Sequence, residues 1–231
     1  MNLGDLKTLA RTYVRAAKKT TIGDAELELI LNLGALEVAQ KSICLKTNEK
    51  FNSVAGIGTY NLTSTLTRYL VMDKPGVWYR SSSSEDYIQL NPTTIKALDN
   101  DRPGWRDLDS DDPTDYAIEG DDLIVVPAPS DAITDAFWVY FGQAPQSMTN
   151  NTHFPFGHST EIYRLKTLQE AILAFWEWKA VKALESGIDA YRAAETAFDR
   201  EFAKQLKSIN RRPDIQSEAK VKAKKMGQNG F

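Results

Sequence analysis

The apolar periodicity changes twice along this chain, and that double switch constrains the fold more than any single motif. Leu6, Leu9, Ala10, Tyr13, Val14 and Ala17 recur at helical spacing, with Lys7, Arg11, Arg15 and Lys18 mostly on other faces. Gly23 interrupts the pattern. Asp24 is a suitable N-cap, and a second helix is predicted from there to about Cys44. In it Leu27, Ile30, Leu31, Ala35 and Val38 form one stripe, and Leu29, Leu33 and Leu36 a second. Apolar residues on two faces predict burial between neighbours.

From about Asn52 to Gly142 the pattern becomes short β-branched and aromatic runs separated by Gly, Pro, Asn, Asp and Ser, the signature of antiparallel strands. Strands are predicted near Val54–Leu62, Leu66–Lys74, Val77–Arg80, Tyr87–Leu90, Tyr116–Glu119, Leu123–Val126 and Phe137–Phe141, as a small sandwich or barrel. The EGDD stretch at 119–122 is a hairpin turn in this reading, and Gly56 and Gly58 mark a bend or bulge rather than a dinucleotide site. Helical spacing then returns. Leu165, Leu168, Ile172, Phe175, Trp176 and Ala180 form one stripe, Ser186 and Gly187 stop it, and Asp189 starts a last helix that Pro213 ends. The predicted class is α+β: two N-terminal and two C-terminal helices make a bundle, with an antiparallel β-sandwich or barrel lobe inserted and an extended C-terminal arm. The expected boundaries are 1–50, 51–145, 146–207 and 208–231.

Charge sharpens this organisation. The net charge of −3 over 231 residues argues against a general nucleic-acid binder, but it is unevenly spread. Residues 99–122 hold ten acidic side chains against Arg102 and Arg106, whereas the last 24 residues hold six basic ones against two acidic. With few large apolar residues, that last segment reads as a solvated arm or a segment that orders on a partner. One cysteine, Cys44, excludes an internal disulfide, and two histidines do not make a zinc site. No apolar run approaches the roughly 18 residues that a membrane span needs, and the charged N-terminus is unlike a signal peptide, so synthesis in a cytoplasm is expected.

Candidate chemistry is sparse. Asp107, Asp109 and Asp111 copy the first three ligand positions of an EF-hand loop, but Asp112 occupies the glycine position and Ile118 the place of the closing glutamate. A solvated acidic loop facing a basic neighbour is the expectation, with no metal and no cofactor. His153 and His158 flank FPFG in a crossing loop, and Ser81–Ser84 lacks the strand-turn-helix setting of a nucleophile elbow, so no enzyme is expected. In AFWEWKA, Phe175 and Trp176 lie on the core stripe, which leaves Trp178 more exposed and open to another subunit. In the arm, Arg211, Arg212, Lys220, Lys222, Lys224, Lys225 and the terminal Phe231 lack the aromatic interleaving of single-strand binders and fit a docking arm better.

Three stretches carry a family resemblance. LGDLKTLARTYVRAA followed by DAELELILNLGALEVAQ resembles the first two helices of the tailed-bacteriophage head-to-tail adaptor family, also called connector or head-completion proteins. VAGIGTYNLTSTLTRYLVM is similar to its first strands, with Thr63 standing where the family usually has Pro. PTDYAIEGDDLIVVPAPSD at 113–131 resembles its Pro-x-x-Tyr, hairpin, Pro-x-Pro signature, and AFWVYFGQAP its last strand. The likeness covers most of residues 1–207, including the C-terminal helix pair. It implies a structural protein of the virion neck, made in the host bacterium. Copies would form a dodecameric ring on the portal protein, bound by their C-terminal arms, with tail or neck proteins beyond. DNA would pass through the lumen without sequence-specific binding, and no membrane is involved. The acidic loop and Trp178 would then face neighbouring subunits or tail proteins. Two other readings compete: a β-module for carbohydrate or another ligand, with a platform built from Trp78, Tyr79, Tyr87 or Trp105, and a hydrolase using His153 or His158.

Overall fold

The computed structural model describes residues 1–13, 22–184 and 188–210. The chain divides into two compact units, one from Met1–Val38 with the described part of Gln146–Phe231, the other Ala39–Pro145. Helix α1, Leu3–Tyr13, opens with a reciprocal cap: Asp5 N–H donates to Asn2 Oδ1 at 2.9 Å and Asn2 N–H to Asp5 Oδ2 at 3.1 Å. It buries Leu3, Leu6 and Ala10; Val14 and Ala17 lie outside the described residues. Helix α2, Asp24–Ser42, takes Asp24 as its first residue, with the Asp24 carboxylate engaged by Arg11, and buries Leu27, Leu31, Ala35 and Val38. Its second stripe is not covered as expected, because Leu29 and Leu33 stay exposed. Lys7 Nζ, 2.7 Å from Glu28 Oε2, ties α1 to α2.

The β unit begins with β1, Lys46–Phe51, and β2, Thr59–Asn61, then a single turn α3, Leu62–Thr65, capped by the Asn61 side chain. It continues through β3, Tyr69–Tyr79, β4, Ile88–Gln89, β5, Asn91–Pro92, and α4, Ile95–Asp101. A 3-10 turn at Trp105–Asp107 precedes β6, Asp115–Glu119, β7, Asp122–Val126, and β8, Phe137–Gln143. These strands form two four-stranded sheets, ordered β1-β8-β3-β4 and β2-β7-β6-β5, antiparallel except for the β5–β6 pair. Val77, Tyr79, Phe137, Val139 and Phe141 of the first sheet share one buried cluster with Tyr60, Tyr116, Leu123 and Val125 of the second. Two sheets meeting through their apolar faces make an open sandwich, not a closed barrel. The other side of β6 and β7 is covered by Leu98 of α4 and Trp105.

Several strand boundaries differ from the sequence reading, each for a local reason. Ladder pairing of the first expected strand is confined to β2, because the backbone before it clips onto 129–133 instead: Ser53 Oγ donates to Asp131 O at 2.7 Å and Gly56 N–H to Pro129 O at 2.8 Å. The two runs expected at Leu66–Lys74 and Val77–Arg80 are one strand with a register shift between Met72 and Val77. Gly76 permits that shift. Its φ is +94°, and a Cβ there would stand 2.2 Å from the Tyr116 hydroxyl. The EGDD turn is as expected, with Glu119 facing Asp122 across Gly120 and Asp121.

The chain returns to the helical unit through a loop that Asn32 holds twice, donating to Met148 O at 3.0 Å and accepting from Met148 N–H at 2.7 Å. Helices α5, Leu168–Leu184, and α6, Ile188–Asn210, then pack together; α6 takes Ser208, Ile209 and Asn210 from the start of the expected arm. Gly157 in the preceding loop has no room for a side chain, since a Cβ would stand 1.8 Å from Thr160 O. Gly157→Ala is expected to cost about 1–3 kcal/mol by forcing that loop apart, measured as a lower urea midpoint at unchanged m-value.

Candidate docking surfaces

The acidic segment is built so that its two arginines are already engaged. Arg102 Nη1 lies 2.8 Å from Asp115 Oδ2, and Arg106 Nη1 2.8 Å from Asp99 Oδ1. Trp105 Nε1 donates to the same Asp99 oxygen at 2.9 Å, and the hydrogen bonds from Trp105 and then Arg106 hold that carboxyl below its usual range. Asp107 and Asp109 are exposed; the Asp107 N–H donates to Gly104 O at 2.9 Å, and neither carboxylate has a hydrogen bond or ion pair to a described residue. Asp111 accepts from the Asp112 N–H at 2.8 Å, and Asp112 accepts from the Tyr79 hydroxyl at 3.3 Å. Burial, reinforced by the Asp112 charge, pushes the Tyr79 hydroxyl well above its usual range, so it remains a donor. The carboxylates are therefore strung along the loop, and among the described residues no three His, Cys, Asp or Glu side chains come together as a cation site. Loop 53–58 lies at the same end, with Ser110 Oγ 3.9 Å from where a Gly56 side chain would begin, and Val54, Ile57 and Leu108 are exposed. The result is an acidic surface with apolar residues beside it.

Trp178 is half-buried, and its ring is occupied within the helical unit. It stacks on Phe198 of α6 at 5.6 Å and 14°, meets Phe175 edge-on at 5.5 Å, and carries the Lys179 ammonium 3.6 Å from its centroid. Its first role is to lock α5 onto α6. The arm residues Arg211, Arg212, Lys220, Lys222, Lys224, Lys225 and Phe231 lie outside the described residues.

A family model described as SU10 adaptor protein matches residues 1–222, nearly the whole chain. The chain belongs to that adaptor family. The match takes in Arg211, Arg212, Lys220 and Lys222 and stops before Lys224, Lys225 and Phe231. No curated protein matches the sequence. Membership places this adaptor among the structural proteins of phage head-to-tail junctions.

In the adaptor, the four residues considered for a ligand platform have different surroundings: Trp78 is half-buried on β3, opposite Trp138 of β8. Tyr79 and Trp105 are buried, and the Tyr87 ring is covered by the Lys50 ammonium at 4.8 Å and the Arg80 guanidinium at 5.0 Å. The structure instead sets Tyr87 beside Trp138, 5.4 Å apart, with Tyr140 next along β8 at 5.0 Å. Trp138 and Tyr140 share one face of β8, whereas Tyr87 precedes β4, which β3 separates from β8, so only the fold brings Tyr87 to them. His153 and His158 close a small loop. Phe154 and His158 exchange backbone hydrogen bonds of 2.7 and 3.1 Å, and the His153 ring accepts from Thr149 N–H at 3.2 Å. No helix among the described residues is long and apolar enough to cross a membrane.

Proposed function

We propose that this adaptor assembles as a ring, dodecameric by family resemblance, between the portal and the tail of a tailed phage. Its C-terminal arm docks on the portal through Arg211, Arg212, Lys220, Lys222, Lys224, Lys225 and Phe231. The loop Asp107, Asp109, Asp111 and Asp112, together with half-buried Trp178, meets neighbouring subunits or tail proteins, and DNA passes through the lumen without base readout. The observation that carries this reading is family membership over residues 1–222. The charge layout supports it, because an acidic surface and a basic arm on one chain suit heterologous contacts, in which each copy offers unlike surfaces to its neighbours. No chemical step is assigned to any residue. The histidines serve loop closure, and Tyr79 serves the acidic loop.

Sedimentation with phage heads that carry portal but lack adaptor tests the reading. The purified protein is expected to pellet with those heads and to stay in the supernatant with heads lacking portal. Equal pelleting with both, or with neither, contradicts portal docking.

A further inference from the structure

Helix α2 carries two apolar faces, of which the described residues cover one. Leu27, Leu31, Ala35 and Val38 are buried, while on the opposite side Leu29 is 59% and Leu33 47% exposed, with Leu36 half-buried beside them. Glu26 is exposed one turn before Leu29 on the same face. The spacing of Glu26, Leu29, Leu33 and Leu36 follows a heptad seam, the pattern of a helix awaiting a helical partner.

A complementary face lies on α6. Ala193, Thr196, Arg200, Lys204 and Lys207 are exposed at the same three-and-four spacing. Its residues are small towards one end, where bulky side chains could seat, and basic towards the other. At about 1.5 Å per residue, the α2 seam from Glu26 to Leu36 extends about 16 Å and fits within the α6 seam from Ala193 to Lys207, about 22 Å. Large apolar side chains facing small ones allow close helix approach, and Glu26 at one end of the α2 seam matches the basic end of α6, where Arg200 and Lys207 are exposed and Lys204 is already 3.3 Å from Glu201.

We infer that the Leu29–Leu33–Leu36 face of α2 in one copy packs against the Ala193–Lys207 face of α6 in the next, forming the subunit contact of the ring. The inference rests on the ring reading and deepens it by naming the surfaces. The occupant is a second copy because the face that fits the leucines in size and charge is carried by the same chain. The two faces are unlike, so the contact is heterologous and propagates from copy to copy until it closes.

Two variants of the full chain, Leu33→Asp and Ala193→Glu, test it by native mass measurement alone and with portal. Each change lies at an exposed position, so thermal unfolding is expected to match wild type. Each variant alone is expected to need at least about tenfold more protein to assemble. Mixed together they are expected to form dimers that stop, because each retains one intact face. Assembly of Leu33→Asp at the wild-type concentration overturns the inference, as does a mixture that stays monomeric. If either variant unfolds early, charge reversal decides: Glu26→Lys or Arg200→Glu weakens assembly and the double variant restores it, whereas no restoration overturns the pairing. A wild-type chain that stays monomeric both alone and on portal contradicts the ring reading itself. A wild-type ring that tolerates Leu33→Asp contradicts only the surfaces named here.

Discussion

Removal of residues 211–231 is expected to leave a folded protein that no longer binds portal-bearing heads. Helix α6 ends at Asn210, and the core built by the described residues closes without residues 211–231. What it takes is six cations and the terminal Phe231. Residues that anchor an interface cost about 2 kcal/mol or more when truncated. If two of these seven act as anchors, the loss is about a thousandfold in affinity. Binding of the intact protein should also weaken with salt, because the screening length falls from about 10 Å at 0.1 M to about 3 Å at 1 M. Co-sedimentation across a salt series reads both effects. A truncated protein that binds within tenfold of the full chain removes the arm from the docking account.

Phe137→Ala is expected to cost about 3–5 kcal/mol, a large share of the stability of a domain this size. Phe137 is fully buried at the start of β8, the strand that pairs with both β1 and β3. Its ring lies 5.0 Å from Phe51, 5.1 Å from Tyr60 and 5.2 Å from Tyr79, so one residue joins the inner faces of both sheets. Truncation leaves a cavity that the rings of three neighbouring strands, β1, β2 and β3, cannot all collapse into. Ile88→Ala is the control. Ile88 is apolar but exposed on the two-residue edge strand β4, and its loss should stay within about 0.5 kcal/mol. Urea unfolding of the two variants side by side checks the contrast. Equal shifts would mean that the sandwich is not held together at Phe137.

The helices were legible because their signals are local. Asp24 and Asp189 mark starts, Gly23 and the Ser186–Gly187 pair mark stops, and apolar periodicity fills the spans between. The hairpin at Glu119–Asp122 was legible for the same reason. Strand β1 was not, since KTNEKF is polar on its exposed positions and only alternately half-buried as an edge strand beside β8. Helix α4 was hidden inside a run read for its charge; Thr94 caps it by accepting from Ala97 N–H, and only Leu98 is buried. The fusion of two expected strands into β3 depends on Gly76 fitting against Tyr116, a contact between residues forty positions apart. The candidate docking surfaces divide the same way. The acidic loop and the basic arm are visible as charge, whereas the Trp138–Tyr87 contact and the exposed side of α2 depend on which neighbours the fold supplies. The second leucine stripe of α2 was expected to be covered; Leu29 and Leu33 are exposed among the described residues, and that difference is what points to a neighbouring copy.

The mass of the complex between purified portal and this protein tests the central claim most directly. A closed ring is expected to add a fixed whole number of copies per portal, with no further increase when the protein is in excess. A mass that rises continuously with added protein, or stops at a single copy, would contradict a ring-forming adaptor.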